Sequence, residues 1–461
     1  MTKRRKIGVV DSIAYACSAL VYILPQYLLS SFISAYYTDV ALVSAGVVGT
    51  VILFMRFTDG VSDLITGGMI DRTNTRMGKA RPWILAGTIG VSISMFSVFH
   101  VPMTLSTGGK VIWLAATYFL LMVVFATMEG VANATLMVYL TNNTQERNKF
   151  GASNMAGTYI GGIIATALTS VLLVSFGYTQ SGYDKTMILY STLVLALGIF
   201  ATVRLKERNT PKAGGEDRKK NVSMKAVAYS IIHNKYYLHA VAAGLLINLI
   251  NGITTGLGVY FCRDIFGDAG LYTLVTLSVL LPTLIGLPVA VFLAKKAGHH
   301  KILVYGRVGY MIGLAIAAAG LMTTNVSVYF IGQVAAGFCG SAFAACFQAR
   351  VANICDYGEY RFKTNATGVM MSATSFCNKA GLGIGAALTG LILEIAKYDG
   401  ALVAAGAAQS SYTVAVERYT VAFVPLVLNI VVLICLYCSN VDPYMSAVRE
   451  ELETGRGMSD E

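Results

Sequence analysis

The chain alternates long uninterrupted apolar runs with short polar ones, and within the runs apolarity is continuous. Apolar windows predict helices near 12–38, 45–70, 82–104, 111–140, 150–177 and 184–204. A second set follows near 237–262, 269–295, 301–323, 326–352, 364–396 and 417–440. Most reach the roughly 20 residues that cross a hydrocarbon core, and continuous apolarity excludes a β-barrel, whose strands alternate. Six runs lie on each side of one long polar stretch. The expected architecture is therefore all-α and membrane-spanning, with a six-helix bundle over 1–204 and a cytoplasmic linker over 205–236. A second six-helix bundle occupies 237–440, and a cytoplasmic tail follows over 441–461.

Composition supports this reading. The chain has 461 residues, 55% hydrophobic and only 13% charged, against roughly 25% charged for a soluble domain. Its formal net charge of +11 would suit a nucleic-acid partner, but the charge is distributed by loop. With the N-terminus inside, the termini and even-numbered loops carry 27 Lys and Arg against five in the odd-numbered loops. That asymmetry places both termini and the linker in the cytoplasm and accounts for the basic balance without nucleic acid. The eight cysteines show no zinc spacing, and the one close pair, Cys435 and Cys438 a turn apart near a helix end, is too weak a signal for a redox site. No P-loop, HExxH or dinucleotide fingerprint is present, so neither an enzyme nor a bound cofactor is expected.

Against this apolar background, five ionisable residues fall well inside predicted spans: Arg56, Asp59, Asp63, Glu129 and Lys379. Asp59 and Asp63 are four residues apart, on one face of a helix about a turn from each other. Ionised carboxylates in a bilayer are costly and mark ion or proton paths. The pair is the candidate cation site, with Asp59 and Asp63 as the metal ligands if the ion is Na⁺. Arg56, three residues before Asp59, shares its helix face. Glu129, Asn133, Tyr22 and Lys379 supply carboxylate, amide, aromatic and ammonium groups suited to a hydroxylated solute.

The two halves echo each other. The loop after span 2 carries Asp71, Arg72, Arg76, Lys79 and Arg81, and the segment after span 10 carries Asp356-Tyr357-Gly358-Glu359-Tyr360-Arg361. Asp71 and Arg76, facing Asp356 and Glu359, are expected to form a cytoplasmic gate. A plan of six plus six helices with paired cytoplasmic loops is that of an alternating-access transporter of the major facilitator type.

Four segments carry a closer likeness: Tyr37-Thr38-Asp39-Val40, Arg56-Phe57-Thr58-Asp59-Gly60-Val61-Ser62-Asp63, Gly78-Lys79-Ala80-Arg81-Pro82-Trp83 and Asp356-Tyr357-Gly358-Glu359-Tyr360. Together they resemble the glycoside–pentoside–hexuronide:cation symporters, over about residues 7 to 440. The resemblance implies a twelve-helix transporter in a bacterial inner membrane, working as a monomer and importing a sugar with Na⁺, H⁺ or Li⁺. It matches the family's cation carboxylates to Asp59 and Asp63, its acidic sugar ligand to Glu129 and its helix 11 lysine to Lys379. Departures from the melibiose-carrying branch are specific. Its second acidic sugar ligand falls near Ile23, its helix 4 tryptophan is Asn133 and its helix 5 arginine falls near Met155. The amide between its aspartates is Ser62, counted here as a third cation ligand, and its helix 4 threonine falls near Ala126. The expected function is cation-coupled symport of a sugar or sugar derivative. An amphipathic solute such as a lysolipid, or a non-transporting membrane sensor, are the alternatives.

Overall fold

The structure, a computed structural model, describes residues 8–141, 144–207, 224–362 and 367–448. The central basic run Arg218-Lys219-Lys220 and the tail beyond 448 lie outside the described residues. The first half contains α1 (Val9–Ala35), α2 (Ala45–Arg72), α3 (Arg81–Val98), α4 (Thr107–Tyr118), α5 (Thr127–Leu140), α6 (Thr144–Ile163), α7 (Thr169–Phe176) and α8 (Gln180–Arg204). A linker helix, α9 (Met224–His233), precedes α10 (Lys235–Gly256), α11 (Gly258–Phe266), α12 (Leu271–Ala297), α13 (His299–Met322) and α14 (Val326–Phe362). The chain continues through α15 (Thr367–Ile395), α16 (Gly400–Ala404) and α17 (Ser411–Cys438). Short π-helical segments extend α1 at Tyr36–Val40, join α4 to α5 at Phe119–Ala126 and join α6 to α7 at Ile164–Leu168. Among the described residues eleven stretches are long and apolar enough to cross a membrane, and the 18-residue α3 completes the twelve expected spans.

Local chemistry explains several boundaries. The Ser106 hydroxyl accepts from the Gly109 N–H at the start of α4, and Thr179 does the same for Gly182 at the start of α8. Pro82 stands in the first turn of α3, where its missing N–H costs nothing. Gly267, at φ +79°, closes α11 in the left-handed conformation. Two boundaries differ from the sequence expectation. The Asp356–Tyr360 segment, expected as a loop, forms the last turns of the 37-residue α14, because backbone hydrogen bonding continues into water once the apolar requirement ends. Likewise Glu146 and Lys149 lie on the first turns of α6 and not in a loop.

The chain divides into two compact units that do not coincide with the two sequence halves. The first comprises Met1–Gly215, Thr255–Thr276 and Ala386–Glu417, and the second comprises Glu216–Thr254, Leu277–Gly385 and Arg418–Glu461. The extracytoplasmic ends of the second half thus pack with the N-terminal helices. The Tyr272 hydroxyl donates to Ser31 Oγ at 3.1 Å and Thr273 to the Ala167 carbonyl at 3.2 Å. Gly390 lies so close to the Ala45 carbonyl that a side chain there would collide with it. Within the second unit, Gly313, Gly320 and Gly332 bring the α13 and α14 backbones together, the small-residue packing typical of helices in lipid. Arg350, fully buried, ties α14 to the segment after α17 through Asp442 Oδ1 at 2.6 Å and the Ser439 carbonyl at 2.5 Å.

The loop between α2 and α3 is held from the linker. The Glu207 carboxylate accepts from the backbone N–H groups of Lys79 and Ala80 at 2.8 Å and of Arg81 at 3.1 Å. Gly78, at φ +113°, has no room for a side chain beside that carboxylate. Arg81 meanwhile donates to the Thr202 carbonyl at 2.9 and 2.6 Å. Glu207 therefore caps α3 in place of a residue from its own N-terminus. Glu207→Ala is expected to lower stability by about 1–2 kcal/mol, read as a fall in the thermal midpoint of purified protein. Glu207→Gln should recover part of the loss, because the amide oxygen still accepts.

Candidate cation and solute site

Asp59 sits in the middle of α2, only 2% exposed. Its Oδ1 lies 2.7 Å from the Thr127 hydroxyl. Thr127 is the first residue of α5, directly after the π segment Phe119–Ala126. A π segment inserts an extra residue into a turn and is frequent at functional sites. Thr127, the position after Ala126, is the hydroxyl that meets Asp59, and the sequence reading had not singled it out.

Asp63 follows a turn later on α2 and is half-buried. Between them Ser62 donates its hydroxyl hydrogen to the Val123 carbonyl at 2.5 Å, fixing α2 to the π segment. Its oxygen lone pairs are left to accept or coordinate. Arg56, 4% exposed, reaches Ser30 Oγ on α1 at 3.4 Å. The buried Tyr118 hydroxyl, which has no hydrogen-bond partner among the described residues, feels the charges of Arg56 and Asp59. An acidic pair, two hydroxyl oxygens and one guanidinium are therefore gathered where α2 meets the α4–α5 span.

Glu129 is fully buried one turn into α5. Ser18 Oγ on α1 donates to its Oε1 at 3.1 Å, and Thr88 Oγ1 on α3 lies 3.5 Å from its Oε2. Gly87 allows the close approach: a Cβ there would sit 3.0 Å from the Glu129 nitrogen. In this conformation Glu129 clamps three helices together and has no exposed surface. Tyr22 packs its ring on Gly130, where a side chain would collide with it. Asn133, one turn beyond Glu129, is 3% exposed, and its Oδ1 lacks a hydrogen-bond partner among the described residues. A buried amide oxygen without a donor is costly and is the group in this region best suited to accept from a solute hydroxyl.

The remaining expected residues are described within their own units. Lys379 is half-buried on α15 in the second unit, one residue after Asn378, whose buried Oδ1 has no partner among the described residues. Asp356 and Glu359 are half-buried on α14, also in the second unit. Arg76 is exposed in the loop after α2, and Asp71 is in the last turn of that helix, its side chain outside the described residues. The loop's own order comes from Arg81 and Glu207, as described above. No group of three or more His, Cys, Asp or Glu able to hold a metal is found among the described residues, so any Na⁺ held at Asp59 and Asp63 must draw on hydroxyl or backbone oxygens as well.

Comparison with known proteins places this geometry. The sequence profile of the MFS/sugar transport protein family matches residues 14–442. The chain belongs to that family. An isoprimeverose transporter of Lactiplantibacillus pentosus is 29% identical over 447 residues, covering 96% of this chain and 91% of that protein. A putative glycoside/cation symporter of Escherichia coli (strain K12) is 28% identical over 382 residues, covering 80% and 79%. Among solved structures, an inward-facing, unoccupied bacterial homolog of the human lysosomal transporter Spinster has a TM-score of 0.70 at 12% identity, covering 93% and 96%. That likeness fixes the fold: this sugar-transport-family chain is a multi-pass membrane transporter of the major facilitator architecture.

Sequence reasoning also missed a charged network in the first unit, on the extracytoplasmic side. Arg263 on α11 donates Nη1 to Asp39 Oδ2 at 2.8 Å, Nε to Asp264 Oδ1 at 2.8 Å and Nη2 to the Tyr398 hydroxyl at 2.6 Å. Tyr398 in turn donates to Asp39 Oδ1 at 2.8 Å, and Thr38 hydrogen-bonds both Asp39 and Tyr260. Burial alone would weaken the charge on Arg263, but its hydrogen bond to Asp264 and the charges of Tyr398, Asp39 and Asp264 raise its pKa further. Burial, followed by the Asp39 charge, likewise pushes the Tyr398 phenol well up, so it stays protonated and remains a donor. The available signal was that Arg263 is one of only five basic residues outside, alongside the Asp39 of the Tyr37–Val40 motif.

Proposed function

We propose that the protein imports a sugar or glycoside together with a monovalent cation, Na⁺ or H⁺, by alternating access, with Asp59 and Asp63 carrying the cation. The observation that carries this reading is the Asp59 carboxylate, buried in a membrane helix and facing Thr127 Oγ1 at 2.7 Å. Carboxylates inside a membrane helix are rare and mark ion or proton paths, and Asp63, one turn away on the same face, gives Asp59 a second carboxylate with which to share a cation. Thr127 lies 3.1 Å from the Met122 carbonyl as well. Turning its hydrogen there would free a lone pair beside Asp59 for Na⁺. Asn133 and Tyr22 are the proposed solute contacts, Glu129 the acid that positions helices α1, α3 and α5 around them, and Lys379 the coupling residue on the second unit. Asp71 and Arg76, with Asp356 and Glu359, remain the proposed cytoplasmic gate.

Reconstituted vesicles test the reading directly. Uptake of labelled glycosides, pentoses and hexuronates is measured under an imposed Na⁺ or pH gradient. A sugar that accumulates only with a gradient of one ion identifies both substrates, whereas no accumulation with any sugar overturns the sugar assignment. Thr127 then separates the ions. If Na⁺ is carried, Thr127→Ala should raise the Na⁺ concentration for half-maximal uptake roughly tenfold, about 1.4 kcal/mol, with Thr127→Ser near wild type. If H⁺ is carried, Thr127→Ala should change uptake little, since a proton needs only the carboxylate.

A further inference from the structure

Glu417 occupies the second turn of α17, beside the Arg263 network. It is 0% exposed, and neither carboxyl oxygen has a hydrogen-bond partner among the described residues. The charges acting on it are those of Asp264, Arg263 and Asp39, and Tyr260, fully buried, lies within its field. All three guanidinium nitrogens of Arg263 are committed to Asp39, Asp264 and Tyr398. The groups acting on Glu417 are thus Asp39 from the segment after α1 and Tyr260, Arg263 and Asp264 from α11, and Tyr398, from the turn after α15, holds Arg263 and Asp39. Arg418, next on α17, points about 100° away around the helix. Two carboxylates are already set against one guanidinium, and a third anion would be buried with no donor among the described residues. Such a charge is strongly disfavoured.

We infer that Glu417 is a proton-binding site of the extracytoplasmic latch, separate from the Asp59–Asp63 pair. The carboxyl holds a proton while Arg263 is engaged with Asp39 and Tyr398. When the latch opens, water reaches the site and the guanidinium is released. The O–H bond then breaks, the proton leaves to extracytoplasmic water, and the carboxylate gains Arg263 as its partner. Arg263 therefore serves Asp39 and Tyr398 or Glu417, but not both sets at once. The sign follows: the shut latch binds the proton more tightly, so acid outside favours the shut state and alkali favours the open one.

Cys262, buried and adjacent to Arg263 on α11, is a native reporter of latch opening. Full-length protein in detergent or vesicles is alkylated with a membrane-impermeant maleimide between about pH 6 and about pH 9, and modification at Cys262 is read by mass spectrometry. Rates are divided by those of the E417Q variant at each pH, which cancels the thiol's own titration. The wild-type ratio should rise roughly tenfold with pH, the effect of one unit of pKa difference between the two states. Glu417→Asp, which keeps a carboxyl, should retain the response. Infrared spectra of wild type should contain a protonated-carboxyl C=O band that is lost in E417Q. A ratio independent of pH, an infrared band unchanged in E417Q, or loss of the response in Glu417→Asp as well would overturn the assignment. None of these measurements needs solute or a cation gradient, so their failure leaves the Asp59 reading untouched.

Discussion

Asp59→Asn is expected to reduce concentrative uptake on the order of 100-fold, with little change in thermal stability. The asparagine side chain has nearly the same shape, and its Oδ1 still accepts from the Thr127 hydroxyl now 2.7 Å away. The contact between α2 and the α4–α5 span therefore survives. What disappears is the negative charge, and with it the attraction for a cation in a site that is only 2% exposed. Losing about 3 kcal/mol of cation affinity corresponds to the stated factor. The comparison is informative because the two roles of Asp59 separate. If the residue served only to hold two helices together, the retained hydrogen bond would keep uptake near wild type. Vesicle uptake measured across cation concentrations from well below half-saturation, beside the thermal midpoint, distinguishes the outcomes. Asp63→Asn should also impair coupling.

The second large effect is expected at the extracytoplasmic latch. Arg263→Gln should accelerate alkylation of Cys262 from outside by roughly 100-fold and sharply reduce concentrative uptake. Arg263 is 22% exposed and Asp39 13%, so their ion pair is shielded but not fully dry. Removing one partner of such a pair leaves Asp39 and Asp264 in a poorly solvated place, and the low end of the usual cost, about 3 kcal/mol, already shifts a two-state equilibrium by that factor. The cost falls on the shut state, where those carboxylates are covered. A double variant with Asp39→Asn should open less than the sum of the single effects, because one of the two uncompensated charges is gone. A residue that merely stabilised the fold would instead lower the thermal midpoint without selectively exposing Cys262.

Much of the candidate site could be read in the chain. Asp59 and Asp63 stand out because carboxylates are rare in apolar runs and their spacing fixes a common helix face. Glu129 was legible as an intramembrane acid, but not its partners: Ser18 and Thr88 come from two other helices, and hydroxyls are too common in membrane spans to single out. Thr127 was not singled out because one hydroxyl in an apolar span carries little signal until the fold brings it to Asp59. Glu207 was counted as linker charge, although its carboxylate closes the N-terminus of α3 from 126 residues away.

The sequence by itself determined the membrane class, the twelve spans, the cytoplasmic placement of both termini and the helix that bears the acidic pair. These properties depend on hydropathy and charge summed along the chain, which lipid and water sort without reference to any particular contact. Only the tertiary structure decided that Thr127 faces Asp59, that Glu129 is enclosed by hydroxyls, and that Arg263 joins Asp39 and Tyr398 beside an unpartnered Glu417. Those arrangements depend on which donors reach a buried charge, and each donor comes from a segment distant in the chain. Burial makes such pairings energetically decisive, while the sequence records only that the charges exist.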